Sequence, residues 1–145
     1  MQLVKKILFF LIFFTSIFSW ALCTKSKKVN FRSGPSTHYK KTWTVSKYMP
    51  IEKVSETKSW YQVKDFEGDF HWVLKALITA KYKCVVVKTL WASLRVGPGK
   101  KFSRSKNYPK AEKYVTFRYL KQNNNWVQVK DKHKYWVYKP LVWIR

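Results

Sequence analysis

Hydrophobic and polar residues alternate in short runs through most of the chain, and this alternation predicts β-strands. At Trp126–Lys130, for example, Val127 and Val129 point to one face, while Trp126, Gln128 and Lys130 point to the other. Such runs are separated by Gly, Pro, Asn and Ser, and no amphipathic helical period continues beyond one turn. The pattern therefore predicts an all-β fold.

The predicted strands form two matching sets. They cover residues 29–32, 51–55, 60–64 and 70–74, and then residues 93–96, 116–120, 126–130 and 135–138. Residues 67–69 and 123–125 have the composition of hairpin turns. The spacing favours a small barrel of about five strands in each set.

An internal repeat relates the two sets. Residues 30–36 are echoed by residues 93–99, residues 60–65 by 126–131, and residues 72–77 by 136–141. The order is kept, and the small drift in offset is what loops of varying length produce on a constant scaffold. Two copies of one module, residues 22–80 and 81–145, are therefore predicted.

The first segment has the pattern of a signal peptide. Two lysines precede an apolar run at residues 7–14, and the small residues Ser19 and Ala21 follow it. The run is too short to favour a membrane span of about 20 residues. We expect cleavage after Ala21, so that residues 1–21 are a signal peptide and the protein is exported, periplasmic or extracellular. Cleavage after Cys23 and an uncleaved anchor are the alternatives.

The repeated residues resemble the bacterial SH3 domain family, in which an Asn-Leu-Arg-Ser-Gly-Pro-Gly segment precedes a Trp-x-x-Val strand and a closing Gly-Trp-Val strand. The matching residues are Arg32, Gly34, Pro35, Trp60, Val63, Trp72 and Val73, and then Arg95, Gly97, Pro98, Trp126, Val129, Trp136 and Val137. His71 and Tyr135 stand where the family usually has Gly. The resemblance implies two small, SH3-like, partly open β-barrels in tandem that bind peptidoglycan or peptides outside the cytoplasm, and it implies no catalysis.

The composition is strongly basic. Lys and Arg number 30 against 7 Asp and Glu, which gives a formal net charge of +23 and attracts acidic partners. The hydrophobic fraction of 46% is too high for a disordered chain of this charge. A cell-wall polymer or peptide and an anionic envelope surface are the partners considered. No nucleic acid is expected, because the predicted signal peptide places the chain outside the cytoplasm, and no partner protein is indicated.

The sequence shows no pattern for a catalytic or metal site. Cys84 and the histidines His38, His71 and His133 lack the context of a Cys-His hydrolase, since the histidines fall in predicted loops or at a strand edge. No pair of His or Cys has metal-ligand spacing. The acidic residues between 65 and 69 are interpreted as a solvated hairpin rather than a glycosidase pair. We therefore expect no enzyme, no cofactor and no metal.

The two cysteines occupy similar places at the start of each copy. Cys23 lies nine residues before Arg32, and Cys84 lies eleven before Arg95. In an exported chain such a pair can form one disulfide that links the modules. The alternatives are removal of Cys23 with the signal peptide and two buried thiols.

Repeated aromatic residues are the candidate binding residues. Because the valines of 126–130 face the core, Trp126 and its counterpart Trp60 are expected to be exposed or half-exposed, which suits stacking on a sugar ring, a Pro-rich strand or a base. The alternative is that they cap a barrel or pack between modules. Tyr39 and Phe102 would supply an opposite wall. The full candidate set is Tyr39, Trp60, Trp72, Phe102, Trp126 and Trp136.

Two features of the opening loops leave alternatives. The Gly-Pro pairs at 34–35 and 97–98 are better explained by a turn with an unusual backbone angle than by a binding role. Arg32 and Arg95 either contact a ligand carboxylate or bond backbone carbonyls.

The leading functional hypothesis is a non-catalytic cell-envelope binding module. A basic adhesion protein on anionic lipid or lipopolysaccharide, and a structural or interaction protein of the envelope, are the alternatives.

Overall fold

The computed structural model describes residues 21–145. The predicted signal peptide, apart from Ala21, lies outside the described residues. Within them the chain forms β-strands and two single-turn 3-10 helices, with no α-helix, so the all-β prediction is confirmed. None of the described helices is long and apolar enough to span a membrane.

The strands form antiparallel sheets, and none of the sheets is closed into a barrel. The first sheet contains the strands β1 Ala21–Thr24, β2 Val29–Arg32, β3 Lys41–Val45, β4 Pro50–Glu56, β5 Trp60–Lys64, β6 Phe70–Leu74 and β7 Ile78–Thr79, with a 3-10 helix at Lys75–Leu77 between β6 and β7. Their order across the sheet is β3-β2-β6-β5-β4-β1-β7. The second sheet contains the strands β8 Cys84–Val87, β11 Thr116–Asn123, β12 Trp126–Lys130, β13 Lys134–Tyr138 and β14 Val142–Ile144, with a 3-10 helix at Lys139–Leu141 between β13 and β14. Their order across the sheet is β13-β12-β11-β8-β14. The strands β9 Trp91–Ser93 and β10 Lys110–Glu112 form a separate two-stranded sheet.

One predicted strand is misplaced. Residues 93–96 were expected to be extended like β2, but β9 ends at Ser93 and Arg95 makes only isolated bridges, to Arg104 and Trp136. In the first half Arg32 is still in β2, because Lys41 at the start of β3 pairs with it. The longer loop of the second half interrupts this pairing, and a strand without a continuous partner ends early.

The longest hairpins of the two halves share a bulge. The register of β4 against β5 shifts between Lys53 and Ser55, and that of β11 against β12 shifts between Tyr119 and Lys121. A bulge increases the local twist and bends the strand. Both hairpins are therefore bent at the same position of the repeat.

Each half has its own hydrophobic cluster. Phe31 and Val63 are fully buried in the first cluster, and Leu94 and Val129, at the corresponding repeat positions, are fully buried in the second. Strand β8 contributes to both, because Val85 and Val87 enter the second cluster while Val86 enters the first. A strand buried on both faces has a continuous apolar sequence rather than an alternating one.

The disulfide joins the halves at this junction. Cys23 in β1 and Cys84 in β8 are bridged, with their Cα atoms 6.0 Å apart and both residues completely buried. The predicted pairing is confirmed. Nearby, the Thr116 hydroxyl donates a hydrogen bond to the Lys47 carbonyl at 2.6 Å, and Lys113 forms an ion pair with Glu67 at 2.6 Å.

Candidate functional site

The outward tryptophans differ in exposure. On β12 the two valines are completely buried and Trp126 is half-buried, as strand alternation predicts. Trp60 is only 7% exposed and Trp136 only 9% exposed, so the expectation that they are accessible is wrong. Strand alternation predicts the direction of a side chain but not which neighbours cover it. At Trp136, for example, the ammonium of Lys121 lies 5.8 Å from the centre of the ring.

Tyr39 and Phe102 pack on the glycines of their own loops. A Cβ atom added to Gly34 would overlap the Tyr39 ring, and one added to Gly97 would overlap the Phe102 ring. Neither glycine has a positive φ; among described glycines only Gly68 does. These glycines are therefore needed for close approach of a ring, not for the unusual backbone angle that the sequence suggested.

The loop arginines bond to carbonyls of the same two loops. Arg32 Nη1 donates hydrogen bonds to the carbonyls of Thr37 and Tyr39 at 3.0 and 2.9 Å. Arg95 Nη1 donates to the carbonyls of Lys100 and Phe102 at 3.4 and 2.8 Å. Of the two roles considered for these arginines, the contact with backbone carbonyls is present in both copies.

A groove of about 220 Å³ opens on the outer surface of the second half. Its lining combines aromatic and cationic side chains and contains no carboxylate. The lining residues are Trp91, Ser93, Arg95, Lys100, Arg104, Trp126, Tyr138 and Leu141.

Three strands, one loop and the 3-10 helix at Lys139–Leu141 bring the groove residues together. Trp126 at the start of β12 is the cross-strand partner of Tyr138 at the end of β13, and their ring centres are 5.4 Å apart. Trp91 begins β9 and is 48% exposed. The bridge between Arg95 and Arg104 folds the loop back beside these strands.

Cations surround the exposed Trp91 ring. The Arg104 guanidinium and the Lys110 ammonium each lie 5.8 Å from its centre. A cation at this distance is attracted to the ring. Glu112 is the residue opposite Trp91 on β10. The ring thus forms one wall of the groove with positive charge beside it.

Of the six candidate residues, the structure brings only Trp126 into this groove. Trp136 adjoins it through the bridge to Arg95, and Phe102 is the residue whose carbonyl Arg95 holds. Tyr39, Trp60 and Trp72 belong to the first half, where Tyr39 is 49% exposed and Trp72 half-buried.

Sequence reasoning missed Trp91, Arg104 and Tyr138. The signal was a difference between the copies rather than a likeness. Where the second copy has Trp91 and Tyr138, the first has Lys28 and Leu74 at the corresponding repeat positions. Because Trp60 is also buried, the first half does not reproduce this aromatic surface.

Charge is distributed as unevenly as the aromatics. Residues 81–145 contain 17 Lys and Arg against 2 Asp and Glu, whereas residues 22–80 contain 11 against 5. The positive potential is therefore strongest around the half that carries the groove.

The acidic turn of the first half is not a solvated hairpin throughout. Asp65 is only 3% exposed; one of its oxygens accepts hydrogen bonds from two backbone N–H groups of the turn, and the other lies 2.8 Å from His71 Nε2. The Thr42 hydroxyl lies 2.8 Å from His71 Nδ1, and the imidazole packs 5.1 Å from the Phe31 ring. Glu67 forms an ion pair with Lys113. The hydrogen bond from Lys113 and, to a smaller extent, that from the Tyr114 hydroxyl hold the pKa of the Glu67 carboxyl below its usual value.

The second half uses a different residue at the His71 position. Tyr135 is 3% exposed, and burial, followed by the nearby Asp131 carboxylate, raises its pKa. Both residues occupy the position of a small Gly in the resemblance, and both fill space beneath their hairpins. The Thr42–His71–Asp65 chain is therefore explained as packing and turn support. Among the described residues, no group of three or more His, Cys, Asp or Glu is placed to hold a metal ion.

The comparison with known families gives a match in the first half of the chain. A family model described as the bacterial SH3 domain matches residues 25–79, which covers the first half. No curated protein matches the chain. The match to this family model supports a non-catalytic binding module.

Proposed function

We propose that the protein is an exported, non-catalytic binding module of the cell envelope, built from two SH3-like units in tandem, residues 22–80 and 81–145. Its groove at Trp91, Trp126 and Tyr138 binds peptidoglycan or an envelope peptide. The observation that carries this proposal is the groove, in which two half-buried rings and one exposed ring face solvent beside three cations.

The repeated loop geometry supports the tandem arrangement. Each half has an Arg whose Nη1 bonds two loop carbonyls and a Gly beneath an aromatic ring. Each also has a bulge in its longest hairpin. Independent loops do not converge on the same set of contacts, so duplication of one unit is the simpler origin.

The disulfide supports export. A buried bridge is typical of proteins that fold in an oxidising compartment. Cys23 must remain in the mature chain to form it, which favours cleavage after Ala21 over cleavage after Cys23. N-terminal sequencing of the native protein should then begin at Leu22.

Binding to purified cell-wall sacculi tests the groove. Trp91→Ala combined with Trp126→Ala removes two walls, and loss of stacking on two rings predicts at least tenfold weaker binding at high salt. Phe70→Ala is the matched control, because Phe70 is 56% exposed and lies in the other half. Circular dichroism checks that each variant is folded.

Basic surface adhesion is the second candidate function, and the charge excess of residues 81–145 favours it. Charge-driven binding weakens strongly with salt, because exposed charges are screened beyond about 10 Å at 0.1 M. If wild type loses all sacculus binding at high salt and the double variant matches it at low salt, adhesion by charge replaces the groove proposal.

A further inference from the structure

We infer that the groove of the second half selects sugar chains carrying negative charge, phosphate or carboxylate, over neutral glycan and over anions without rings. This inference rests on the proposed function and names the chemistry of its ligand. The observation behind it is that aromatic rings and unpaired cations line one groove together. At the equivalent positions of the first half, Lys28 and Leu74 replace Trp91 and Tyr138, and Trp60 is buried.

The rings select a flat, partly apolar ligand. Trp91 is 48% exposed, and Trp126 and Tyr138 present a tilted pair with centres 5.4 Å apart. Aromatic side chains of this kind stack on the C–H face of a sugar and offer little to a linear anion. An inorganic anion would therefore use only half of the groove.

The cations select charge. Arg104 and Lys100 are exposed on the groove wall, and neither makes an ion pair among the described residues. Arg95 is held by loop carbonyls, and its buried Nε has no hydrogen-bond partner. A neutral glycan would leave this positive wall uncompensated, whereas a phosphate or carboxylate on the sugar would accept from guanidinium and ammonium groups.

The repeat provides matched positions for testing the charge. Arg95 forms a backbone β-bridge with Arg104 in the second half, and Arg32 is the cross-strand partner of Lys41 in the first half. Arg104→Gln and Lys41→Gln therefore each remove one positive charge from an exposed site at the same place in the repeat. Only the first site belongs to the groove.

The experiment is a binding titration of the oxidised chain, residues 22–145, with five short probes. Tetragalacturonate and its methyl ester share their rings and differ in charge, and so do phosphorylated and unmodified maltotetraose. Inorganic tetraphosphate supplies charge without rings. We expect each charged sugar to bind at least tenfold more tightly than its neutral partner and than tetraphosphate. The comparison between the uronate and the phosphate ester identifies the preferred anion.

The variants separate groove from general charge. Arg104→Gln should weaken binding of the charged sugars several-fold while Lys41→Gln leaves it unchanged, and Trp91→Ala should weaken the charged sugars but not tetraphosphate. Equal binding of charged and neutral sugars overturns the inference, as does an equal effect of the two Gln variants. Sacculus binding that still depends on Trp91 and Trp126 would in that case leave the proposed function standing.

Discussion

Reduction of the buried disulfide should remove a large part of the protein's stability. The bridge between Cys23 and Cys84 closes a loop with a sequence separation of 61 residues. The chain-entropy relation gives about 4 kcal/mol for a loop of that length at 25 °C. With a urea slope of about 1–3 kcal/mol per molar for small proteins, the unfolding midpoint should fall by about 1.5–4 M.

The assay is urea unfolding of the same protein with and without reductant, followed by tryptophan fluorescence. The variant with Cys23→Ala and Cys84→Ala is the control, because reductant should not shift its midpoint. The predicted loss assumes that the halves unfold together, as the shared strand β8 and the contacts at Thr116 and Glu67 indicate. A loss below about 1 kcal/mol would refute this reasoning, since a bridge between independently unfolding halves restrains much less.

Two further predictions concern a loop and an ion pair. Gly97→Ala should lower the free energy of unfolding by about 1–3 kcal/mol, because its Cβ would overlap the Phe102 ring. Gly99→Ala should be nearly neutral, because its Cβ would lie 3.5 Å from that ring. Equal denaturation midpoints for the two variants would contradict the close-packing explanation. Hydrogen bonds from Lys53 and then Lys75 lower the pKa of Glu56 to about 2, so its contribution to stability is present above pH 4.5 and is lost as pH falls toward 2. An NMR titration of the Glu56 carboxyl should show this midpoint, Lys75→Gln should raise it, and a wild-type midpoint near 4.5 would contradict the pairing.

Much of the fold was predictable from local pattern. The all-β class follows from alternation and turn residues, and the strands β2, β5, β6 and β12 lie at the predicted residues. The strands that were missed include short ones whose partners are distant in sequence, such as β1, which pairs with β4, and β14, which pairs with β8. Strands of this kind depend on a distant partner, and no local periodicity records it.

The candidate site was less predictable. The sequence indicated outward direction for Trp126, but Trp60 at the same repeat position is buried. Exposure depends on the neighbours across the strand, which are Tyr138 for Trp126 and Leu74 for Trp60. The groove itself combines side chains from separate parts of the second half, so repeat likeness could not locate it.

The sequence by itself determined the strand character, the repeat and the excess of positive charge, because each is a property of neighbouring residues or of composition. The sequence also has the two cysteines at similar positions of the two copies, from which the bridge was predicted. Only the tertiary structure decided that Trp91 and Arg104 meet Trp126 in a groove, and that Gly34 and Gly97 lie beneath aromatic rings. These outcomes depend on how loops and strands distant in sequence are brought together, and packing at that level is set by the whole chain.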